Sequence, residues 1–403
     1  MFKLLRKKEG SFVIFALMLF TATLIMLIAL IDASADLAVK GSVNSFGILW
    51  SKNMLGKYDL YLKERYGILG FYGNDYSVEE DIRTYSDYSF KTKAYIKTGK
   101  IESDSSGYNL SGTKQMEKAV IEAVTAGIEP VKSSSNEDIV QPDRTITAEW
   151  IIKALPSYGT SEELYLSGLV KQIKAGLGAE NLIKKPIIDK YIFTFFKDYM
   201  DDRDLTETYF SNEIEYIISG KLSDVKAKKS VETSIKVMRN LLNLYYLYSC
   251  PEKRQGALAL AETLTPGPAA VLTQAVILET WAYQEAENDI NILYEGGSVP
   301  LIKKDTNWAL TLDNVFNEDG TEKKHNKNKS IKPDVMEGEK YDTYLAILLC
   351  GLTNETKLLR IMDLIQINGK YSYCAEFLLN DYCNGIKYSI EVNGHTYKFE
   401  DKY

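Results

Sequence analysis

The sequence predicts an α+β protein with a mostly helical ectodomain on an N-terminal transmembrane helix. Three observations lead there. Residues Phe12 to Ile31 are twenty in a row without a charge. Apolar residues recur at steps of three and four over most of 147–295, the period of a helix with one buried face. Short stretches near 66–103 and 386–400 follow the two-residue period of strands.

The apolar run fixes the rest. At about 1.5 Å per residue it spans roughly 30 Å, the thickness of a bilayer's hydrocarbon core. Lys3, Arg6, Lys7 and Lys8 precede it. Basic residues beside a span resist translocation, so residues 1–11 are expected in the cytoplasm and 32–403 outside it. Ala33-Ser34-Ala35 offers a small-x-small cleavage site, but the run exceeds the roughly 7–15 residues of a signal-peptide core and Asp32 interrupts the neutral cleavage region. A retained anchor is the favoured reading, and trimming after Gly10 or Ala35 stays open.

Of the 403 residues, 45% are apolar and 26% charged, which is globular composition with enough length for one large or two small cores. The first ten carry four basic groups and Glu9, a net +3, so the other 393 carry −10 of the total −7. An acidic ectodomain argues against nucleic acid, whose phosphates need a basic face. Cys250, Cys350, Cys374 and Cys383 are expected as free thiols, with a Cys374–Cys383 bridge left open. Only two histidines are present, His325 and His395, and no CxxC pair, so no metal site is assigned.

After the span, Val43, Phe46, Trp50, Met54, Tyr58 and Tyr61 mark one face of an amphipathic stem helix over 32–65 into which the membrane helix is expected to continue, with a break or kink at Gly41, Gly47 or Gly56 left open. A small α+β region at 66–131 follows. In it Tyr88 to Thr98 alternates, with Phe90, Thr92, Ala94 and Ile96 opposite Lys91, Lys93, Tyr95 and Lys97, which reads as a half-buried strand; a second strand is expected after Gly99-Lys100, and Gln115 to Ala126 as a helix. The polar run Lys132 to Asp138 reads as a loop.

The helical region covers 147–312. Val231, Ile235, Met238, Leu242 and Tyr245 stripe a helix capped by Ser223 or Asp224 and ended before Pro251. A shorter helix near Lys253 to Thr263 is closed by Thr265-Pro-Gly-Pro268, and the next, Ala269 to Tyr294, stops at Gly296-Gly297. Its apolar Ala269 to Leu278 portion is too short to span a bilayer and reads as core. Residues 313–339 read as a solvated polar loop, and Asn317-Glu-Asp-Gly320 lacks the leading acid and terminal Glu of a calcium loop. In the C-terminal part, 340–403, helices are expected at Tyr341 to Leu352, Asn354 to Ile367 and Cys374 to Asp381. A hairpin then pairs Tyr388, Ile390 and Val392 with Tyr397 and Phe399 across Asn393-Gly394.

No GxSxG, Walker loop, HExxH or dinucleotide fingerprint is present, and no cofactor is assigned. Glu279, Glu285 and Asp289 share a helix, with Lys303 close behind. A buried polar network orienting the Gly296-Gly297 turn is favoured over paired-carboxylate catalysis. Asp198, Asp201, Asp202 and Asp204 form an acidic cluster, read as a solvated face. The 28 tyrosines could supply a contact surface for a partner.

Several stretches together resemble one family: Gly10-Ser11-Phe12 opening the apolar helix, Ser42 to Tyr58, Lys63-Glu-Arg-Tyr-Gly-Ile-Leu69, Glu215-Tyr-Ile-Ile-Ser-Gly220, Trp281-Ala-Tyr-Gln-Glu285 with Asp289, Gly296 to Lys303, Tyr341-Asp-Thr-Tyr-Leu345 and Arg360-Ile-Met-Asp-Leu-Ile-Gln366. They are similar to an uncharacterised family of single-pass proteins of Gram-positive bacteria, encoded beside genes for tight-adherence (Tad/Flp-type) pilus assembly and resembling the pseudopilin-like TadE and TadG proteins at the N-terminus. Tyr66, Gly67, Trp281, Arg360, Asp363 and Gln366 are the matching motif positions. The resemblance implies context, not activity: partners among pilus-assembly or pseudopilin-like membrane proteins, and Gly10-Ser11 as a prepilin-peptidase junction. One departure stands out, because Phe15 occupies the position where pilins carry a Glu.

The expectation is therefore a non-enzymatic, membrane-anchored structural component of a tight-adherence-like pilus assembly or secretion apparatus. A surface adhesin or ligand-binding module is the alternative, and an extracytoplasmic carboxylate-dependent hydrolase the third reading.

Overall fold

The structure, a computed structural model, describes residues 5–131, 143–160, 164–175, 187–201, 203, 208–323 and 329–403, with side chains from residue 12 onward. The predicted loop from Lys132 to Asp138, Asp202, Asp204, His325 and the side chain of Ser11 lie outside the described residues. In chain order the described helices and strands are α1 (Leu5–Leu55), α2 (Leu60–Tyr66), β1 (Phe71–Tyr72), α3 (Asp75–Phe90), β2 (Thr98–Ser103), α4 (Thr113–Thr125), α5 (Glu149–Lys153), α6 (Leu166–Lys174), α7 (Ile187–Phe195), α8 (Glu213–Ser219), α9 (Asp224–Ser249), α10 (Pro251–Leu264), α11 (Ala270–Tyr294), α12 (Leu312–Val315), α13 (Tyr341–Leu349), α14 (Asn354–Asn368), β3 (Tyr382–Cys383), β4 (Gly385–Val392) and β5 (His395–Lys402). The fold is α+β and mostly helical, as the sequence predicts. The chain divides into two compact units, and both draw on separated segments.

The smaller unit comprises the residues up to Asp59, Gly70–Asn109 and Asp381–Tyr403. Among the described helices α1 is the one long and apolar enough to cross a membrane. From Phe12 (72% exposed) to Ile31 (64%) its side chains are bare, while Val43, Trp50 and Met54 further along are buried. The predicted stripe is real, but the helix ends at Leu55, short of Tyr58 and Tyr61, because the chain turns at Gly56 and Lys57. No break occurs at Gly41 or Gly47.

The stripe packs on α3 and the sheet. Trp50 meets Phe90 edge-on at 5.6 Å and donates from Nε1 to Ser89 Oγ (3.1 Å). Here the sequence reading of Tyr88 to Thr98 as a strand fails. Asn74 and Ser77 form a reciprocal cap that starts α3, and Val78, Ile82, Ser86 and Phe90 are buried at steps of four, so Tyr88–Phe90 is the last turn of a helix. The strand runs from Thr98 to Ser103, taking in Gly99-Lys100, after which the second one was expected. The sheet order is β2-β4-β5, all antiparallel. Asn393 (φ 51°) and Gly394 (φ 81°) both take the left-handed conformation of a type I′ turn and set the predicted register of Tyr388 on Phe399 and Ile390 on Tyr397.

The larger unit comprises Leu60–Leu69 and Leu110–Asn380, so residues 60–65 part from the stem, and 66–69 and 110–131 from the strands, with which the sequence boundaries had placed them. Helix α9 buries Val231, Ile235, Met238 and Leu242, but Tyr245 is 41% exposed. Helix α10 opens with Pro251 at its first position, and α11 stops at Gly296 (φ 78°). Ala269 to Leu278 is not uniformly core: Ile277 and Leu278 are buried, whereas Val271, Leu272 and Val276 are 62 to 75% exposed. The core here joins Leu247, Ala257, Ala261, Leu278, Trp281 and Trp308.

Residues 324–328, the middle of the charged run, lie outside the described residues, but the rest of 313–339 is not a freely solvated loop. Val315 and Phe316 are buried, Ser330 donates from Oγ to Glu295 Oε2 (2.6 Å), Ile331 N–H to Asn288 Oδ1 (2.7 Å), and Glu339 pairs with Val299. The chain compensates a poor apolar content by tying its backbone to polar groups on α11. Finally, the helix expected over Cys374 to Asp381 is only a 3₁₀ turn, Leu379–Asp381, because α14 runs on as a π turn through Gly369–Tyr373.

Candidate functional site

Helices α9 and α11 lie side by side, and each presents two polar groups one turn apart into their contact. Arg239 and Asn243 come from α9, Glu285 and Asp289 from α11, and Lys303 from the segment that follows. All five are buried, Arg239, Glu285 and Asp289 completely. Arg239 donates from Nε to Asp289 Oδ2 (3.0 Å), from Nη2 to Asn243 Oδ1 (2.7 Å), and from Nη1 to the carbonyls of Pro300 (2.8 Å) and Leu301 (2.7 Å). Asn243 Nδ2 donates to the same Oδ2 (3.1 Å). Lys303 Nζ contacts Glu285 Oε1 and lies 2.6 Å from Asp289 Oδ1. Glu285 also accepts the N–H of Ala309 at Oε1 (2.9 Å) and of Leu310 at Oε2 (2.8 Å).

Aromatic rings seal this centre. Trp281 and Trp308 meet edge to face at 5.5 Å, both donating to the Leu310 carbonyl (2.8 and 2.7 Å), and Lys303 Nζ lies 5.5 Å from the Trp308 ring. Burial pushes the Glu285 carboxyl above its usual range. For Asp289 burial acts the same way, but the charges of Lys303 and Arg239 outweigh it and hold this carboxyl low. The two carboxyls are thus pushed in opposite directions.

Of the four residues the sequence grouped, three come together. Glu279 does not: it is exposed and accepts from Asn240 Nδ2 (3.1 Å). Nor do the three orient Gly296-Gly297: the backbone groups that Glu285 meets are those of Ala309 and Leu310, and the nearer carbonyls of Pro300 and Leu301 are held by Arg239. Arg239 and Asn243 were missed. A charged residue one step from buried Met238, inside the apolar stripe of α9, is the signal that could have found them.

The motif positions prove to be interior braces. Arg65 Nη1 donates to the Phe195 carbonyl (2.8 Å), Asn368 Nδ2 bridges Tyr66 Oη (3.0 Å) and Glu213 Oε1 (2.7 Å), and Gly67 (φ 66°) turns the chain between them. Asp363 accepts the N–H of Ser157 (3.0 Å) and the hydroxyl of Tyr216 (2.6 Å). Arg360 Nη1 donates to the carbonyls of Ile217 (2.7 Å) and Ile218 (2.9 Å), and Gln366 Nε2 to that of Ala154 (2.8 Å). A further buried ion pair, Lys357 with Asp189 at 2.6 Å, had no sequence signal.

The two described members of the acidic cluster, Asp198 and Asp201, do not form a solvated face. Asp198 is 9% exposed, accepts the Met200 N–H (2.7 Å), and burial pushes it up to about 6; Asp201 is tied to Arg203 Nε (2.7 Å). Nearby Glu215, wholly buried, accepts from Tyr199 N–H (2.9 Å) and Tyr341 Oη (2.8 Å), and burial lifts it to about 7. Among the described residues no group of three His, Cys, Asp or Glu could hold a metal ion, and all four cysteines are free, Cys374 exposed and Cys383 buried. Several tyrosines are internal struts: Tyr191, Tyr344 and Tyr388 donate to the carbonyls of Tyr66, Val299 and Gly47.

No curated protein and no solved structure matches the chain at a significant level. The family of unknown function DUF5702 matches residues 114–394, more than half of the 403, and the protein belongs to that family.

Proposed function

We propose that the protein is a non-enzymatic, membrane-anchored structural component of a tight-adherence-like pilus assembly or secretion apparatus. Residues 12–31 hold it in the cell membrane, with the N-terminus cytoplasmic and the bulk extracytoplasmic. The observation that carries the reading is the construction of α1. One unbroken helix of 51 residues is bare and apolar from Phe12 to Ile31 and, in its second half, packed by Val43, Trp50 and Met54 on an antiparallel sheet. A rigid arm of this kind couples a lipid-embedded segment to a folded head without a hinge, as a pseudopilin-like subunit requires.

Burial of Glu285 and Asp289 supports contacts over carboxylate catalysis, since a substrate cannot reach acids with no exposed surface. Phe15 in place of an acid inside the span points to a minor or scaffold part and away from acid-to-amine packing in a shaft.

Deletion in the native host combined with in-cell crosslinking of the full chain tests the proposal. Loss of pilus assembly or attachment, with crosslinks to assembly proteins, is the expected result. Intact assembly and no such crosslinks would overturn it.

A further inference from the structure

We propose that the folded chain joins Lys303 to Glu285 through an intramolecular amide bond, made autocatalytically with Asp289 as the base. Lys303 is 2% exposed and Glu285 and Asp289 have no exposure at all, so amine and carboxyl meet in a site without bulk water. In the network Arg239 and Lys303 are balanced by Asp289 and Glu285. Passing a proton from Nζ to Glu285 leaves that balance unchanged and gives the amine and the carboxylic acid that the condensation consumes. Asp289 keeps its charge because Arg239 and Asn243 both donate to its Oδ2.

The reacting atoms are in place. Nζ contacts Oε1 of Glu285, the oxygen carried by the Cδ it would attack. The Leu310 N–H, 2.8 Å from Oε2, points at the oxygen on which negative charge develops. Asp289 Oδ1 lies 2.6 Å from Nζ, and no other donor meets it among the described residues.

The nitrogen lone pair attacks Cδ and an Nζ–Cδ bond forms. One Nζ proton moves to Asp289 Oδ1 and on to the Oε1 hydroxyl. The Cδ–Oε1 bond then breaks and water leaves. Carboxylic acid and amine become amide and water, nothing is oxidised or reduced, and Asp289 ends as it began. Lys357 is the internal comparison: it meets only Asp189 among the described carboxylates, with neither a second acid nor a backbone donor on the pair, and no bond is assigned there.

Intact-mass analysis of the full chain, purified and denatured, decides the matter. The expected mass is one water below that of the sequence. Trypsin should fail to cut after Lys303, and fragmentation of the resulting peptide should give no backbone breaks between Glu285 and Lys303. An unmodified mass would overturn the proposal, and breaks between 285 and 289 would move the bond to Asp289 and overturn the assignment of Glu285. Asp289→Asn, checked for cooperative unfolding, should fold but keep the water; a linked, folded Asp289→Asn chain would remove Asp289 as the base.

Discussion

Gly47 of α1 lies directly beneath the ring of Phe399 in β5, so closely that a Cβ at position 47 would overlap the ring. The Gly47 carbonyl also accepts the hydroxyl of Tyr388 (2.8 Å), which fixes the helix to the sheet at this point, and that of Ser51 one turn along the same helix (3.0 Å). Glycine here serves close approach, not bending. Gly47→Ala is expected to destabilise the smaller unit by about 1–3 kcal/mol through overpacking, less the roughly 1 kcal/mol that alanine gains in a helix. Gly41 is the opposite case, with nothing within 4 Å of its Cβ position, so Gly41→Ala should stabilise by roughly 0.5–1 kcal/mol. Urea unfolding of both variants in detergent micelles checks the pair; equal effects would show that the Phe399 contact is not formed.

Glu215 should give the larger unit an inverted pH dependence. Its folded value of about 7 lies above the ordinary 4.5, so the folded state binds the proton more tightly than the unfolded one. The stabilisation is complete below 4.5 and is lost as pH rises through 7, by on the order of 3 kcal/mol in all. Asp198, lifted to about 6, acts in the same direction. Glu215→Gln keeps an acceptor for Tyr199 N–H and the Tyr341 hydroxyl but cannot ionise. It should be more stable than the native chain at about pH 8 and nearly equal at about pH 5. Denaturation midpoints across this range measure it, and parallel profiles would refute it.

Arg360 ties α14 to the C-terminal carbonyls of α8, where Gly220 (φ 65°) ends the helix against the guanidinium. Arg360→Ala leaves the carbonyls of Ile217 and Ile218 without this donor in a buried setting and should cost about 2–4 kcal/mol. Arg360→Lys should recover only part of that, since an ammonium lacks the planar fork. Full recovery by lysine in thermal unfolding would mean that charge alone matters at this position.

Much of this was legible because local signals agreed with the global fold. The Asn393-Gly394 hairpin, the proline-closed helices and the stripe from Val43 to Met54 each rest on period or turn chemistry that a single stretch carries. What failed needed a partner from elsewhere in the chain. Phe90 to Ile96 alternates convincingly, yet Trp50 and Ser89 recruit its start into α3. Glu285, Asp289 and Lys303 were found because they lie within twenty residues of one another; Arg239 and Asn243, on another helix, were not. Gly47 looked like a weak point until Phe399, at the far end of the chain, came to rest on it.

Orientation across the membrane can be read with a native reporter. Cys374 is exposed, whereas Cys250 and Cys350 are half-buried and Cys383 is buried. A membrane-impermeant maleimide applied to intact cells should therefore label the full chain mainly at Cys374 if Lys3, Arg6, Lys7 and Lys8 hold the N-terminus inside. Cys374→Ser should abolish most of the signal, which separates true outside labelling from reaction with unfolded material, where the other three thiols would react too. Labelling that appears only after the cells are permeabilised would place residues 32–403 in the cytoplasm, against the basic residues' pull, and would remove the extracytoplasmic role proposed for the ectodomain.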